Sequence, residues 1–199
     1  VNGYLSQYNN VIRSESFSDS SGQRYTMPMN VKRINIHGIE ASFKQNITEN
    51  WSLNGSAAWA KSKNRATGKE LESDPFDKNR LAVDPFTYTV GLSYAQENWG
   101  ASLDWKHVNA KNRQYKEKWG TFYTMNAPKY NLLDLTGWWK LDKDIEITGG
   151  IYNITNEKYW DGIDLQDEKA QDMWVKWYDH LDRWTQPGRN FAVSVKVSF

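Results

Sequence analysis

The sequence predicts an all-β fold, an antiparallel barrel whose strands cross a membrane, and three observations carry that prediction. Apolar residues recur at every second position, the connections alternate between short and long, and the chain runs out on a strand that ends in an aromatic residue. Alternation at period two marks a strand with one apolar face. It recurs in Trp51, Leu53, Gly55, Ala57 and Trp59, in Phe86, Tyr88, Val90, Leu92 and Tyr94, and in Ala101, Leu103 and Trp105. Leu133, Leu135, Gly137 and Trp139 repeat it, as do Ile145, Ile147, Gly149 and Ile151. The last run sets Phe191, Val193, Val195, Val197 and Phe199 against Ala192, Ser194, Lys196 and Ser198. Two further strands, at 3–13 and 30–45, keep a less regular phase, and His37-Gly38 is a candidate bulge in the second. Eight strands result.

The links between these strands decide the environment. Stretches 14–27, 61–85, 108–129 and 156–188 are long and polar, whereas 46–50, 96–98 and 142–144 are short. A soluble sandwich has no reason to gather every long connection at one end. A barrel of the outer membrane does: short periplasmic turns, long extracellular loops, and strands alternating lipid-facing apolar with lumen-facing polar residues. Phe191, Val193, Val195, Val197, Phe86, Val90 and Leu92 are then expected to face lipid, and Lys196, Glu146, Asp104 and Lys140 the lumen. A soluble barrel would reverse the faces, and alternation alone does not separate the two; the loop asymmetry and the terminal Phe199 favour the membrane. Phe191, Val193, Val195, Val197 and Phe199 form the pattern that the barrel-assembly machinery of Gram-negative bacteria takes as its insertion signal.

Composition agrees. Only 39% of the 199 residues are hydrophobic and the mean hydropathy is −0.82, polar for a packed globule. Much of the apolar content is rings, with 11 Trp and 11 Tyr, which suit boundaries between apolar and wet phases. The 25 basic and 24 acidic residues nearly cancel, so no nucleic-acid partner is expected. Cysteine is absent, which excludes disulfides and thiolate metal sites. No run reaches the roughly 18 to 20 apolar residues of a spanning helix. The chain begins at Val1 and is expected to be a mature or excised segment.

The stretch "GGIYNITNEKYW" and, about thirty residues on, "RWTQPGRNFAVSVKVSF" resemble the closing strands of TonB-dependent outer-membrane receptors. The matching positions are Asn153, Ile154, Thr155, Asn156 and Tyr159, then Pro187, Gly188, Arg189 and Phe199. The stretch "INIHGIEASFKQNITENWSLNGSAAW" resembles an interior hairpin of the same barrels. The resemblance runs from about Ile34 to Phe199. It implies the eight C-terminal strands of a 22-stranded barrel, with the plug and the N-terminal strands outside 1–199. It also implies a non-enzymatic importer of an iron source, coupled to the TonB complex through that plug and embedded in outer-membrane lipid. Within the family the motifs lean toward receptors for haem or a host or secreted haem-carrier protein, haem being the transported ligand and no cofactor being bound covalently. A siderophore receptor, or a stand-alone eight-stranded barrel acting as adhesin or structural protein, are the alternatives. For Pro187-Gly188-Arg189 the plain reading is the start of a strand, Arg189 reaching a lumen carboxylate or sitting at the rim.

Candidate ligand-binding residues lie in the long connections. His107 and His180 are candidate axial ligands, since neutral imidazole binds haem iron; His37, mid-strand, reads as barrel wall. Tyr115, Trp119 and Tyr123 give 108–129 an aromatic character. In "AQDMWVKWYDHLDRW", Ala170, Met173, Trp174, Trp177, Tyr178 and Leu181 fall at helical spacing, so an extracellular helix over about 164–182 is expected, its Trp174, Trp177 and Tyr178 meeting a ligand or the neighbouring loop. No metal-binding His-Glu-x-x-His or phosphate-cradling loop occurs. Asp179 and Asp182 flank His180 without a positioned nucleophile, so no enzyme is expected.

Overall fold

The computed structural model describes residues 1–65, 68, 83–116, 122–160 and 185–198. Ten strands are described: β1 (Asn2–Ser18), β2 (Arg24–Asn46), β3 (Trp51–Asn64), β4 (Thr87–Ala95), β5 (Trp99–Val108), β6 (Lys111–Lys116), β7 (Phe122–Ala127), β8 (Tyr130–Asp142), β9 (Ile145–Tyr152) and β10 (Asn190–Val197). Eight of them form one antiparallel sheet in the order β1-β2-β3-β4-β5-β8-β9-β10, and β6-β7 is a separate hairpin. Every neighbour in the large sheet is the next of these eight along the chain. Among the described residues no ladder joins β1 to β10. The short turns fall at 47–50, 96–98 and 143–144, as the sequence predicts, and all lie at one end.

Two expectations are corrected. The polar stretch 14–27 is not an open loop: β1 and β2 continue through it, pairing out to Ser18↔Arg24. The turn is held by Asp19, whose carboxylate accepts from the Ser21 and Gln23 amides at 2.9 Å each, from the Ser21 hydroxyl at 2.6 Å and from the Tyr25 phenol at 2.8 Å. Likewise 108–129 contains β6 and β7, which carry on beyond the Val108↔Tyr130 rung of β5 and β8. Pro128 stands in the gap, where the absent N–H suits a break in the ladder.

The expected bulge at His37-Gly38 is not one. Leu5↔His37 and Tyr4↔Gly38 on one side, His37↔Lys61 and Gly38↔Ala60 on the other, keep unbroken register. What Gly38 provides is room: a Cβ there would stand 2.7 Å from the Tyr4 ring and 2.6 Å from the Trp59 carbonyl. The register shift lies instead between Lys140 and Asp142.

Register sorts the side chains onto two faces, because directly paired residues share a face. One face carries the rows Leu53↔Leu92↔Leu103↔Leu135↔Ile151↔Phe191 and Trp51↔Tyr94↔Ala101↔Gly137↔Gly149↔Val193. The other carries Ser52↔Ser93↔Ser102↔Thr136 and Lys140↔Glu146↔Lys196. The apolar face is the uncovered one: Phe191 is 70% exposed, Val195 58% and Trp139 55%. Buried hydrophobics among the described residues are few, Ile34, Val108 and Tyr130, with Val11 and Ile36 packed on Ile34. A single curved layer with its greasy side bare is what a bilayer would complete.

Candidate functional site

The long-connection end of the sheet is fastened by the two motifs that stand about thirty residues apart in sequence. Asn153 and Asn156 take positive φ, 51° and 54°, a backbone that asparagine tolerates better than most residues. Asn153, 3% exposed, receives the Glu157 amide on Oδ1 at 2.8 Å and donates from Nδ2 to the Glu157 carbonyl at 2.8 Å and the Pro187 carbonyl at 3.3 Å. Its own amide donates to the Asp134 carboxylate at 2.7 Å. Asn156 Oδ1 accepts the Arg189 amide at 2.9 Å, and Arg189 Nε donates to the Ile154 carbonyl at 2.8 Å. A Cβ at Gly188 would stand 2.7 Å from Asn156 Oδ1, so only glycine lets the two segments approach this closely. Tyr159 packs its ring 4.5 Å from that of Tyr130, and the Gln186 amide donates to the Tyr159 carbonyl. The outcome is a knot of β8, β9 and β10 at the base of 161–184. Arg189 thus gives its Nε–H to a backbone carbonyl of this knot, and among the described residues no carboxylate pairs with it.

Of the predicted ligand residues, His107 is held most closely. It lies on the apolar face, paired with Tyr88 and Asn131. Its ring stacks on Tyr88 at 4.9 Å, with Trp105 at 6.4 Å. Nδ1 lies 2.7 Å from Asn131 Oδ1 and Nε2 2.9 Å from Asn109 Oδ1. Both nitrogens are engaged, so ligation of iron would first have to release one. Asn109 and Asn131 were not singled out by the sequence, and no local signal marks them, because their role depends on the β5–β8 register. Tyr115 and Tyr123 are backbone partners in one rung of the β6–β7 hairpin. His180, Trp119, Trp174, Trp177, Tyr178, the predicted helix at 164–182 and Phe199 lie outside the described residues.

Rings gather at both ends of the apolar face. Trp51, Tyr94 and Trp99 form a chain beside the short turns, with centroids 4.8 and 5.1 Å apart, and Trp99↔Trp139 extends it. At the other end Trp105 meets Tyr88 edge-on at 5.4 Å, and His37 meets Trp59 at 5.8 Å. From Trp51 to Trp59 is eight strand steps, about 26 Å, or about 20 Å of height at a tilt of about 40°, close to an apolar band about 25 Å tall between girdles. The opposite face holds an open concavity of about 440 Å³, with Ser93, Ser102, Thr136, Thr148 and Ser194 in its lining. The Ser93 and Ser102 hydroxyls there bond one another at 3.0 Å, and Ser102 donates to the Asp104 carboxylate at 2.8 Å. At the β1–β2 turn, the hydrogen bonds from Ser21 and Tyr25 hold the Asp19 carboxyl down at about 2, and the hydrogen bond to Asp19 pushes the Tyr25 phenol up.

Comparison with known proteins matches this geometry to a family. Residues 1–154 fit the family model described as TonB dependent receptor-like, beta-barrel. A hemoglobin and hemoglobin-haptoglobin-binding protein of Haemophilus ducreyi is 25% identical over 86% of the chain, which spans 20% of that protein. A hemoglobin-haptoglobin-binding protein A of Haemophilus influenzae is 33% identical over 59% of the chain and 13% of its own length. Transferrin-binding protein A of Neisseria meningitidis serogroup B is 24% identical over 69% of the chain and 16% of its length. Among solved structures, the copper transporter OprC superposes over 99% of this chain and 28% of its own, with a TM-score of 0.72 at 19% identity. The ferric enterobactin receptor of Pseudomonas aeruginosa does so with a TM-score of 0.70 at 17% identity, over the same shares. The chain thus spans a fifth or less of these curated relatives. It belongs to the TonB-dependent receptor family, receptors of the Gram-negative outer membrane rather than enzymes, and contributes strands to the family's β-barrel.

Proposed function

We propose that the chain supplies the C-terminal strands of a 22-stranded receptor barrel that imports an iron source, haem or haem taken from a carrier protein, with energy from the TonB complex through a plug outside 1–199. The observation that carries this reading is the similarity to haemoglobin-haptoglobin receptors, which extends over as much as 86% of the chain. The open sheet supports it on physical grounds. A strand edge in hydrocarbon leaves unpaired N–H and C=O groups costing several kcal/mol each, and β1 and β10 do not satisfy one another. Further strands are needed to cover both edges. The aromatic residues of the long connections, Tyr115, Trp119, Tyr123, Trp174, Trp177 and Tyr178, are the proposed carrier-binding surface; of the two candidate haem contacts His180 is kept, because His107 stands on the outward face with both ring nitrogens engaged.

The test uses the full-length receptor in an iron-starved Gram-negative host that makes its own haem and lacks its own haem and siderophore receptors. Growth on haemoglobin that disappears when TonB is deleted is the expected result. Growth only on a ferric siderophore, or capture of transferrin but not haemoglobin, would overturn the haem assignment. If the aromatic surface takes the carrier, Trp177→Ala weakens capture by more than about 1 to 2 kcal/mol, as interface aromatics do.

A further inference from the structure

We infer that the outward face of β2 and β3, immediately beyond the Trp59 ring, is a binding site for the phosphate-bearing headgroup of an anionic lipid in the outer leaflet. The register carries the argument. Going outward from the Ile39↔Trp59 rung, the apolar face meets His37↔Lys61, then Asn35↔Lys63, and one rung further the Arg65 amide donates to the Arg33 carbonyl at 3.0 Å. Lys61, Lys63, Arg33 and Arg65 are exposed and His37 is half-buried. Five groups able to carry positive charge thus occupy three successive rungs of two adjacent strands. The same face of β1 from Gly3 to Asn9, of β2 from Arg33 to Phe43 and of β3 from Trp51 to Arg65 contains no carboxylate. Glu40 belongs to the opposite face, and Asp84 stands three residues ahead of β4 at the same end.

The cluster sits at the depth where headgroups lie. Trp59 belongs to the girdle, and it touches both neighbours in the first basic rung: His37 edge-on at 5.8 Å and Lys61, whose Nζ stands 5.9 Å from its ring. Four strand steps from Trp59 to Lys63 rise about 10 Å at a tilt of about 40°, against a headgroup zone about 5 to 8 Å deep per leaflet. Lys61, about 5 Å beyond Trp59, falls within that zone, Lys63 lies at its outer edge, and Arg33 and Arg65, about 15 Å out, stand beyond it. Long cationic side chains over an aromatic ring at such a boundary suit an anionic headgroup better than bulk water.

The inference rests on the outward face meeting lipid and on nothing about the imported cargo. Its test is the retention of bisphosphorylated lipid A by purified full-length receptor, counted by native mass spectrometry with no haem source present. Replacing Lys61, Lys63 and Arg33 together by Ala is expected to lower retention at least about fivefold, while Lys44→Ala on the opposite face leaves it unchanged and Lys61→Arg with Lys63→Arg preserves it. Dephosphorylated lipid should bind the native receptor no better than the triple variant binds lipid A. Unchanged retention in the triple variant, equal loss with Lys44→Ala, or indifference to the phosphates would overturn the site. So would loss of haemoglobin capture with lipid retention intact, which would give the cluster to a protein ligand. Heat-modified mobility on gels checks that each variant is folded.

Discussion

Asn153 meets two demands at once, a left-handed backbone and a buried amide whose oxygen and nitrogen both have partners. The two can be separated by substitution. Asn153→Gly keeps the φ and strands the Glu157 amide and the Pro187 carbonyl, a cost of about 1 to 3 kcal/mol. Asn153→Ala adds a Cβ in the left-handed region, about 1 kcal/mol more. Reversible urea unfolding of the full-length receptor in vesicles should rank them native, Gly, Ala, with amide exchange at Glu157 accelerated in both. Equal stability of all three would mean that the knot does not tie β9 to β10. Asp19 is tested by pH. Its folded pKa of about 2 lies below the ordinary 3.8, so its contribution to the β1–β2 turn is complete above about pH 4 and is lost as pH falls toward 2. Tyr25 is shifted the other way, because its ionisation would remove the proton that it donates to Asp19, so its contribution holds below pH 10 and is lost as the pH rises above it. Exchange of the Ser21 and Gln23 amides, corrected for intrinsic rate, should be slowest between those limits, and Asp19→Asn should remove the acid limb. The sequence displayed Asn153 and Asn156 as letters of a motif, but their partners Asp134 and Pro187 lie 19 and 34 residues away, and only the fold joins them.

At the scale of elements, the strands within the band were readable and their extensions were not, for one physical reason. Where one face meets lipid, each second residue must be apolar, and β3, β4, β5, β8, β9 and β10 show it. Beyond the band no such demand exists, and the outer halves of β1 and β2, and all of β6 and β7, carry no period. The signal that was available at 14–27 was turn chemistry: an Asp followed by Ser-Ser-Gly, with Asp19 accepting from amides two and four residues on and Gly22 at φ 83°. The facing of β10 is the sharpest test of the readable part. Val193 lies mid-strand on the apolar face opposite Gly149, and Ser194 on the other face opposite Thr148. Val193→Arg should cost roughly 2 to 4 kcal/mol in vesicle unfolding, since a midplane charge has nowhere to go, and Ser194→Arg much less. Equal costs would mean that both faces meet the same medium, and a larger cost at Ser194 that the faces are reversed.

At the scale of the whole molecule the question is what lies against β1 and β10. Eight strands closed on themselves make a barrel just wide enough to be filled by side chains, which would leave no lumen for a plug or a cargo. The hydroxyl-lined polar face and the unjoined edges fit a wider circle, in which this sheet is one arc. The chain has no cysteine, so pairs of cysteines introduced in it, in a full-length receptor with any other cysteines replaced, report on closure. Thr148→Cys with Ser194→Cys joins the β9–β10 rung and should form a disulfide readily in the full-length receptor. Cysteines at Ser6 in β1 and at Ser194 in β10 should not, since the two strands are expected to lie on opposite sides of intervening strands. Oxidation followed by reducing and non-reducing gels distinguishes the outcomes. A β1–β10 disulfide formed as fast as the β9–β10 control would close the circle at eight, reduce the molecule to a small adhesin-like or structural barrel, and remove the physical basis for any import through it.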